Sequence, residues 1–442
     1  MFYNHNHSKS FWKAVKPYKK QECPINTSTF YEHFTHINSI DANLGLENTV
    51  SLYDKPIECL DEDFTTLEIE NAIKKLKLNK SPGYDNILNE CLIYGKDILL
   101  NTIKLTFQHL FTISYFPNQW SEGIIIPIYK KGDKTLPSNY RAITLLSCIG
   151  KLFTSILCTR ITSWATDNLV FSEAQFGFRP TYNTVHAIFT LYVLISSIKR
   201  SNKLYCAFID FSTAFDSVNR QTLLTRLIEC GVSSKMLRMI ESIYSYVKSC
   251  VKSNNVFSDM FMCSKGLRQG DSLSPLLFSL YINDIKSIVS NCHIRGHSID
   301  ILMYADDLVI MSDSRHGLQT KLNKLHTYCT AKHLNVNINK SKVLIFKSRK
   351  NSIPILYNSH VLEEVSEFTY LGFTLARNAN LQHTQEARIA NAHKAQGTLD
   401  TYLRKHKHLP VKIIFELFDS LVKNYMDVKY GDVISVRKMI NV

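Results

Sequence analysis

The sequence predicts an α+β fold, a sheet with helices packed on one face, and three patterns support that class. Two apolar runs have the length of strands, Gly123 to Tyr129 (GIIIPIY) and Cys206 to Phe211 (CAFIDF). A third segment, Met303 to Ile310 (MYADDLVI), has apolar flanks on both sides of Ala305-Asp306-Asp307, which reads as a β-hairpin with the acids at its tip. Amphipathic helical stretches fill the intervals, in the order strand, helix, hairpin, helix.

Residues 1 to 60 are polar, sprinkled with aromatic side chains and without sustained periodicity, so they read as an N-terminal extension or linker. At Thr65 a helix begins: Thr65 and Glu68 have the spacing of a capping box, Glu70 and Lys74 form an i,i+4 pair, and Ser81-Pro82-Gly83 is the expected stop. The run Gly123 to Tyr129 leads into a basic turn, Lys130-Lys131-Gly132-Asp133. After Arg220, the sequence QTLLTRLIECG places Leu223, Leu224, Leu227 and Ile228 on one helical face, with Gly231 as its C-terminal stop. Ser274-Pro275 supplies an expected N-cap and first-turn proline for an apolar helix through Leu276, Leu277, Leu280 and Ile285.

At 442 residues the chain has room for two or three substructures, each with its own core. Hydrophobic residues make up 45% and charged residues 20%, a globular composition. Lys and Arg number 52 against 38 acids, and the net charge of +14 suits a polyanionic partner. Basic residues crowd into Lys321, Lys324, Lys332, Lys340, Lys342, Lys347, Arg349 and Lys350, then Lys394, Arg404, Lys405, Lys407 and Lys412. Nucleic-acid backbone is the natural target of such runs, a solvated charged face the alternative. The eleven cysteines include no CxxC pair and no ligand-like spacing to the histidines, which argues for reduced thiols and against a disulfide framework or zinc site. The N-terminus lacks the apolar core of a signal peptide and no stretch could span a bilayer, so a soluble protein with no membrane partner is expected.

The acids carry the chemistry. Asp306 and Asp307 stand together between apolar flanks, although an Asp-rich turn explains the pair equally well by local hydrogen bonding. Asp210 interrupts a second apolar strand, where a lone carboxylate is costly unless paired, hydrogen-bonded or metal-bound. If the two strands lie side by side, the three carboxylates repel one another without a divalent cation. Hard oxygen ligands of this kind suit Mg²⁺, and two such ions serve an in-line displacement at phosphorus. Phosphoryl or nucleotidyl transfer is the reaction class that follows.

The chain resembles the reverse transcriptase domain of non-LTR (LINE-type) retrotransposons. The resemblance runs from about Leu76 onward and rests on KSPGYDNI (80–87), PIYKKGD (127–133), NYRAITLL (139–146), QFGFRP (175–180), FIDFSTAFDSV (208–218), GLRQGDSLSPLLF (266–278), YADD (304–307), LNVNINKSK (334–342) and YLGF (370–373). YADD alone is a weak signal; the ordered set is specific.

The resemblance implies a right-hand polymerase, with fingers at 61–200, a palm bearing an antiparallel sheet on helices at 201–375, and a partial helical thumb at 376–442. It implies an RNA-directed DNA polymerase whose partners are an RNA template, a DNA primer or target and deoxynucleoside triphosphates. Asp210 and Asp306 become ligands of two Mg²⁺ ions, Mn²⁺ being a possible substitute, with Asp307 beside them. Phe215 takes the place of the aromatic steric gate that excludes a 2′-hydroxyl. Lys130, Lys131 and Arg141 clamp the triphosphate, and Gln269-Gly270 touch the nascent base pair and template. Lys340 serves the leaving pyrophosphate, and Tyr370-Leu371-Gly372 resemble the primer-grip turn. A core aromatic, surface charges and glycine-bearing loops are the plainer accounts of these same residues.

Full-length members carry an upstream endonuclease, and some a downstream zinc knuckle; this chain has neither pattern and is expected to extend a primer without nicking a target. An inactive, nucleic-acid-binding relic and an intron-encoded maturase are the competing readings. The family implies a nuclear location. Oligomeric state is not legible in the sequence.

Overall fold

The computed structural model describes residues 23–39, 53–196, 202–289, 299–347 and 353–378, with Lys394, Gln396, Gly397, Thr401 and Arg404 beyond them. The first sheet is built from β1 (Glu122–Tyr129), β2 (Tyr140–Leu146), β4 (Lys248–Ser253), β5 (Val256–Phe257) and β6 (Phe261–Met262). The second contains β3 (Leu204–Ser212), β7 (Ile301–Tyr304), β8 (Asp307–Ser312), β9 (Asn335–Val336), β10 (Lys342–Phe346), β11 (Ile355–Tyr357) and β12 (His360–Glu364). A separate hairpin joins β13 (Glu367–Tyr370) to β14 (Phe373–Ala376).

The second sheet runs β11-β12-β10-β3-β8-β7, with β9 extending β3. Its centre is antiparallel, as the motifs imply, but β10 and β12 pair in parallel. Helices were expected on one face only; both faces are covered. Ala207, Ile209 and Phe211 of β3 enter a core shared with the helices Ser274–Tyr281 and Arg315–Ala331. Cys206 and Phe208 turn the other way, toward the helix Thr184–Ser196 and the β13–β14 hairpin. A strand apolar on both sides, rather than alternating, is the mark of a sheet buried on both faces.

One segment pairs outside the sheet of its sequence neighbours. Residues 248–262 fall inside the 201–375 unit, yet β4 pairs in parallel with β1 and β6 pairs with β4, so this stretch completes the first sheet. Ile124 and Ile125 sit opposite Cys250 and Val251, and that apolar match supplies the driving force.

The described parts of the supposed linker, residues 23–39 and 53–60, are packed. Helix Thr27–Asn38 buries Phe30 and Phe34, Phe30 meets Tyr140 edge to face, and the Asn38 carbonyl accepts from Ser264 N–H. Residues 57–68 are held by Arg160, whose buried guanidinium donates to both Glu68 carboxylate oxygens and to the carbonyls of Leu60, Glu62 and Asp63. Aromatic residues in a polar stretch were the sign of this docking.

The capping box of Thr65 and Glu68 is formed, but its helix stops at Lys74, well before Ser81. The helix Arg220–Cys230 ends on Gly231 in the left-handed region, as expected. The apolar helix has Leu273, not Ser274, as its N-cap, and it breaks at Tyr281 before a second short helix, Ile285–Val289. Ser274 instead shares a hydrogen bond with the Tyr244 hydroxyl inside the core.

Candidate active site

Asp210 and Asp307 are register partners at the end of the β3–β8 ladder. The β7–β8 hairpin closes through Tyr304 and Asp307, leaving Ala305-Asp306 as its two-residue loop. Ala305 adopts φ 57°, a left-handed conformation that costs an L-residue energy and persists only under external constraint. That constraint comes from the QFGFRP segment. Phe176 N–H donates to Met303 O and Met303 N–H donates to Ala174 O, both at 2.8 Å, so the segment lies parallel to β7.

Charges are crowded at this strand end. The Asp307 carboxyl is pushed up to about 6 by desolvation, then by Asp306 and Asp210, with Lys130 acting in the opposite sense. Its side chain still reaches solvent, so water screens part of that effect. Asp210 Oδ2 is buried without a hydrogen-bond partner, and Lys340 Nζ stands 3.6 Å away. The Asp210 backbone is pinned by Ser341 Oγ, which accepts from its N–H at 3.1 Å, and by Asn337 N–H, which donates to its carbonyl at 2.8 Å. The motif LNVNINKSK thus fixes Asp210 and delivers Lys340 to it.

A carboxylate oxygen with an ion-pair partner but no hydrogen bond, near a carboxyl that resists ionisation, is an arrangement a divalent cation relieves. Among the described residues no three His, Cys, Asp or Glu side chains form a ready metal-holding group. A hard ion held by one or two carboxylates and completed by substrate phosphates does fit, which is the habit of Mg²⁺.

Three motif segments, FIDFSTAFDSV, GLRQGDSLSPLLF and NYRAITLL, meet one another. Phe215 is half-buried and stacks on Phe278, with ring centroids 4.9 Å apart. Its carbonyl accepts from Leu267 N–H, while Gly266 N–H donates to Val218 O. Gln269 Nε2 donates to both oxygens of Asp216 at 3.1 and 3.0 Å, and the Gln269 carbonyl accepts from Thr144 N–H at 2.8 Å. Gly270 has φ 138°, and a β-carbon there would fall 2.3 Å from Thr144 O. Only glycine permits that closeness.

Asp216 was passed over in the sequence. It is half-buried, and desolvation pushes its carboxyl up to about 6 against the pull of Gln269, Arg141 and Lys265. A second acid inside the run FIDFSTAFDSV, after Asp210, was the available signal.

Arg141, Lys130 and Lys131 are exposed on the β1–β2 hairpin, on the first sheet rather than the sheet of the acids. Lys130 reaches Asp307 electrostatically and Arg141 reaches Asp216. Tyr370 and Phe373 close the β13–β14 hairpin, whose loop residues Leu371 and Gly372 have φ 48° and 81°, as a tight hairpin turn demands. The Tyr370 ring lies 5.8 Å from Phe208, and its buried hydroxyl has no hydrogen-bond partner. Desolvation first, then Asp307, raises its pKa, so the hairpin leans on the acid end of the sheet.

The basic run after 320 is not a free surface. Lys321 is buried on Asp300 at 2.6 Å, Lys332 pairs with Asp284 and Lys342 with Glu363. Arg349, Lys350, Lys405, Lys407 and Lys412 lie outside the described residues, as does nearly all of 376–442. Among the described residues no helix is long and apolar enough to cross a membrane.

Residues 128–375 match the family described as reverse transcriptase (RNA-dependent DNA polymerase). The chain is 28% identical, over 83% of its length and 44% of the relative, to the probable RNA-directed DNA polymerase from transposon BS of Drosophila melanogaster. It is 26% identical to the RNA-directed DNA polymerase from mobile element jockey of the same species, covering 74% of this chain and 37% of that one. It spans less than half the length of these curated relatives. Among solved structures it is similar to apo telomerase from Candida tropicalis truncated from the C-terminal domain, with a TM-score of 0.44, 13% identity, and 63% and 59% of the two chains covered. With its matched segment spanning the acid hairpin, the Asp210 strand and the β13–β14 turn, the chain belongs to the reverse transcriptase family, and its relatives are those of non-LTR retrotransposons.

Proposed function

We propose that the chain is an RNA-directed DNA polymerase that extends a primer 3′-hydroxyl with deoxynucleotides on an RNA template. The observation that carries this reading is the β3–β8 register, with Asp210 opposite Asp307 and Asp306 in the adjoining turn. Asp210 and Asp306 would hold two Mg²⁺ ions, or Mn²⁺ in their place, with Asp307 alongside; when bound, the ions make the attacking hydroxyl more acidic and offset charge on the leaving pyrophosphate.

The chain's own residues do the positioning. Phe215 provides the floor under the sugar, where a 2′-hydroxyl would meet its ring. Arg141 offers a bidentate fork to the triphosphate, and Lys130 and Lys131 add point charges from the same hairpin. Gln269 and Gly270 face the nascent pair, the glycine letting the backbone come close. Lys340 supplies a counter-charge or proton to the pyrophosphate. Tyr370, Leu371 and Gly372 grip the primer. In this reading 61–200 with 248–262 are the fingers, the rest of 201–375 the palm, and 376–442 the start of the thumb. A nuclear site of action belongs to the same proposal.

The test is primer extension by the purified chain on a primed RNA with Mg²⁺ and deoxynucleotides. Extension is expected, and it should vanish in Asp306→Asn while primer-template binding persists. Undiminished extension by that variant would overturn the assignment. Binding with no extension by the unaltered chain would leave a nucleic-acid-binding protein without catalysis.

A further inference from the structure

We propose that a cleft bordered by the LNVNINKSK segment is a second ligand site, separate from the acids, which takes a nucleoside phosphate. This goes beyond the polymerase reading and does not rest on it. The cleft has a volume of about 500 Å³, within the range of small-ligand sites. Four separate parts of the chain enclose it: the turn at Ser217 and Asn219, Lys265, the end of the helix Arg315–Ala331 with β9, and the β11–β12 turn. Among the described residues, none of those assigned to the reaction stands in its walls.

The lining selects for negative charge. Lys265, His326, His333 and His360 line the cleft, and among the described residues no carboxylate does. Asn219 Oδ1 accepts from Thr222 N–H in capping the helix Arg220–Cys230, so the Asn219 NH₂ is the end left to donate. His360 Nδ1 stands 2.8 Å from the Asn358 carbonyl, which can only accept; Nε2 is therefore the nitrogen left for a ligand, a donor once the ring is protonated. The helix end brings no bare carbonyls to oppose an anion there, because Leu334 N–H donates to Cys329 O at 2.9 Å and His333 N–H to Thr330 O at 3.3 Å. The three imidazoles are not gathered on one metal ion, since no three His, Cys, Asp or Glu among the described residues form such a group. A phosphate is the anion that suits a lysine point charge with amide and imidazole donors.

Beside the charge stands an apolar wall. Leu334, Val336 and Ile338 line it together with the His326 and Tyr357 rings, which meet edge to face with centroids 5.5 Å apart. Inorganic phosphate has nothing to place against that wall, whereas a planar base does. The wall is fixed by β9, whose Asn335 and Val336 pair with Ser212 and Phe211 of β3. The ligand is thus a phosphate joined to a planar base, a chemistry shared by a free nucleotide and by one residue of a nucleic-acid strand.

The experiment titrates the full chain, without Mg²⁺ or primer-template, with adenosine 5′-monophosphate, adenosine, inorganic phosphate and a single-stranded oligoadenylate, read by calorimetry. The monophosphate should bind one to one, and adenosine and inorganic phosphate each about tenfold more weakly or worse, the scale of one good polar contact. His360→Gln and His333→Asn should each weaken the monophosphate by about tenfold. Asn suits position 333 because His333 has φ 53°, a left-handed conformation that Asn tolerates. Asp306→Asn should bind the monophosphate as the unaltered chain does. An oligoadenylate that displaces the monophosphate identifies a strand as the source, and one that does not identifies a free nucleotide; the site stands under both. No saturable binding, inorganic phosphate as tight as the monophosphate, affinity unchanged in both histidine variants, or a loss in Asp306→Asn would overturn the proposal. Should one histidine variant fail to fold, the other decides. Absent primer extension with this binding intact would count against the polymerase reading alone.

Discussion

Gly177 and Ala305 are pressed together so closely that a β-carbon on Gly177 would stand 2.4 Å from the Ala305 backbone nitrogen. The QFGFRP motif thereby braces the strained turn that carries Asp306, since the left-handed Ala305 has a wall of backbone against it. Gly177→Ala forces either the turn or the 174–177 segment to move. The expected result is a stability loss of about 1–3 kcal/mol, typical of overpacking, and a fall in primer extension of more than tenfold. Thermal unfolding and single-turnover extension would separate the two effects. Normal extension with an undisturbed melting temperature would mean the turn does not depend on this brace.

The Asp307 carboxyl is raised to about 6 from an ordinary 3.8, so its ionisation works against the metal-free fold. A raised carboxyl makes the protein lose stability as pH climbs from about 4 to about 6, with the full cost present above 6. Asp307→Asn should therefore stabilise the metal-free chain at pH 7. Solvent contact reduces the roughly 3 kcal/mol of a two-unit shift to about 1 kcal/mol. Mg²⁺ should raise the melting temperature of the unaltered chain and lose that effect in Asp210→Asn. Equal Mg²⁺ responses in the two would argue against Asp210 as a ligand.

Asp216 is more deeply buried, so the same sign applies with less screening. Its carboxyl also lies near 6, and Arg141, Lys265 and Gln269 only partly offset the desolvation. Asp216→Asn is expected to stabilise the chain at pH 7 by about 2 kcal/mol and to flatten the decline between pH 4 and 6. Denaturant unfolding across that range would check it. A destabilised variant at pH 7 would show that the Gln269 contact outweighs burial.

Phe215→Val should admit ribonucleotides, raising their incorporation at least tenfold relative to deoxynucleotides. The ring also stacks on Phe278, so a stability cost of about 1 kcal/mol accompanies the change. A selectivity unchanged in a folded variant would return Phe215 to the status of a core aromatic.

Lys340 balances Asp210 at 3.6 Å. Lys340→Ala should slow the chemical step by about tenfold or more if it serves as an acid or counter-charge to pyrophosphate. Its effect should appear in kcat rather than in primer-template affinity. A change confined to affinity would mark it as a backbone contact.

Local pattern reached a good part of this structure. The apolar runs became β1 and β3, the acids took the tip of a hairpin, and Thr65, Glu68 and Gly231 capped their helices, because each of these depends on neighbours a few residues away. What local pattern missed depends on distant partners. Polar residues 27–38 became a buried helix because Phe30 and Phe34 find Tyr140 and the first sheet, and Lys321 left the basic surface because Asp300 waits beneath it.

From its order of residues alone, the chain declared its family and offered the three acids as candidates, since those rest on residue type and on the succession of motifs. Only the tertiary structure decided that β4 joins β1, that the sheet is buried on both faces, and that Asp216 grips Gln269. The physical reason is that strand pairing and the desolvation of a carboxylate are properties of surroundings brought together from remote parts of the chain.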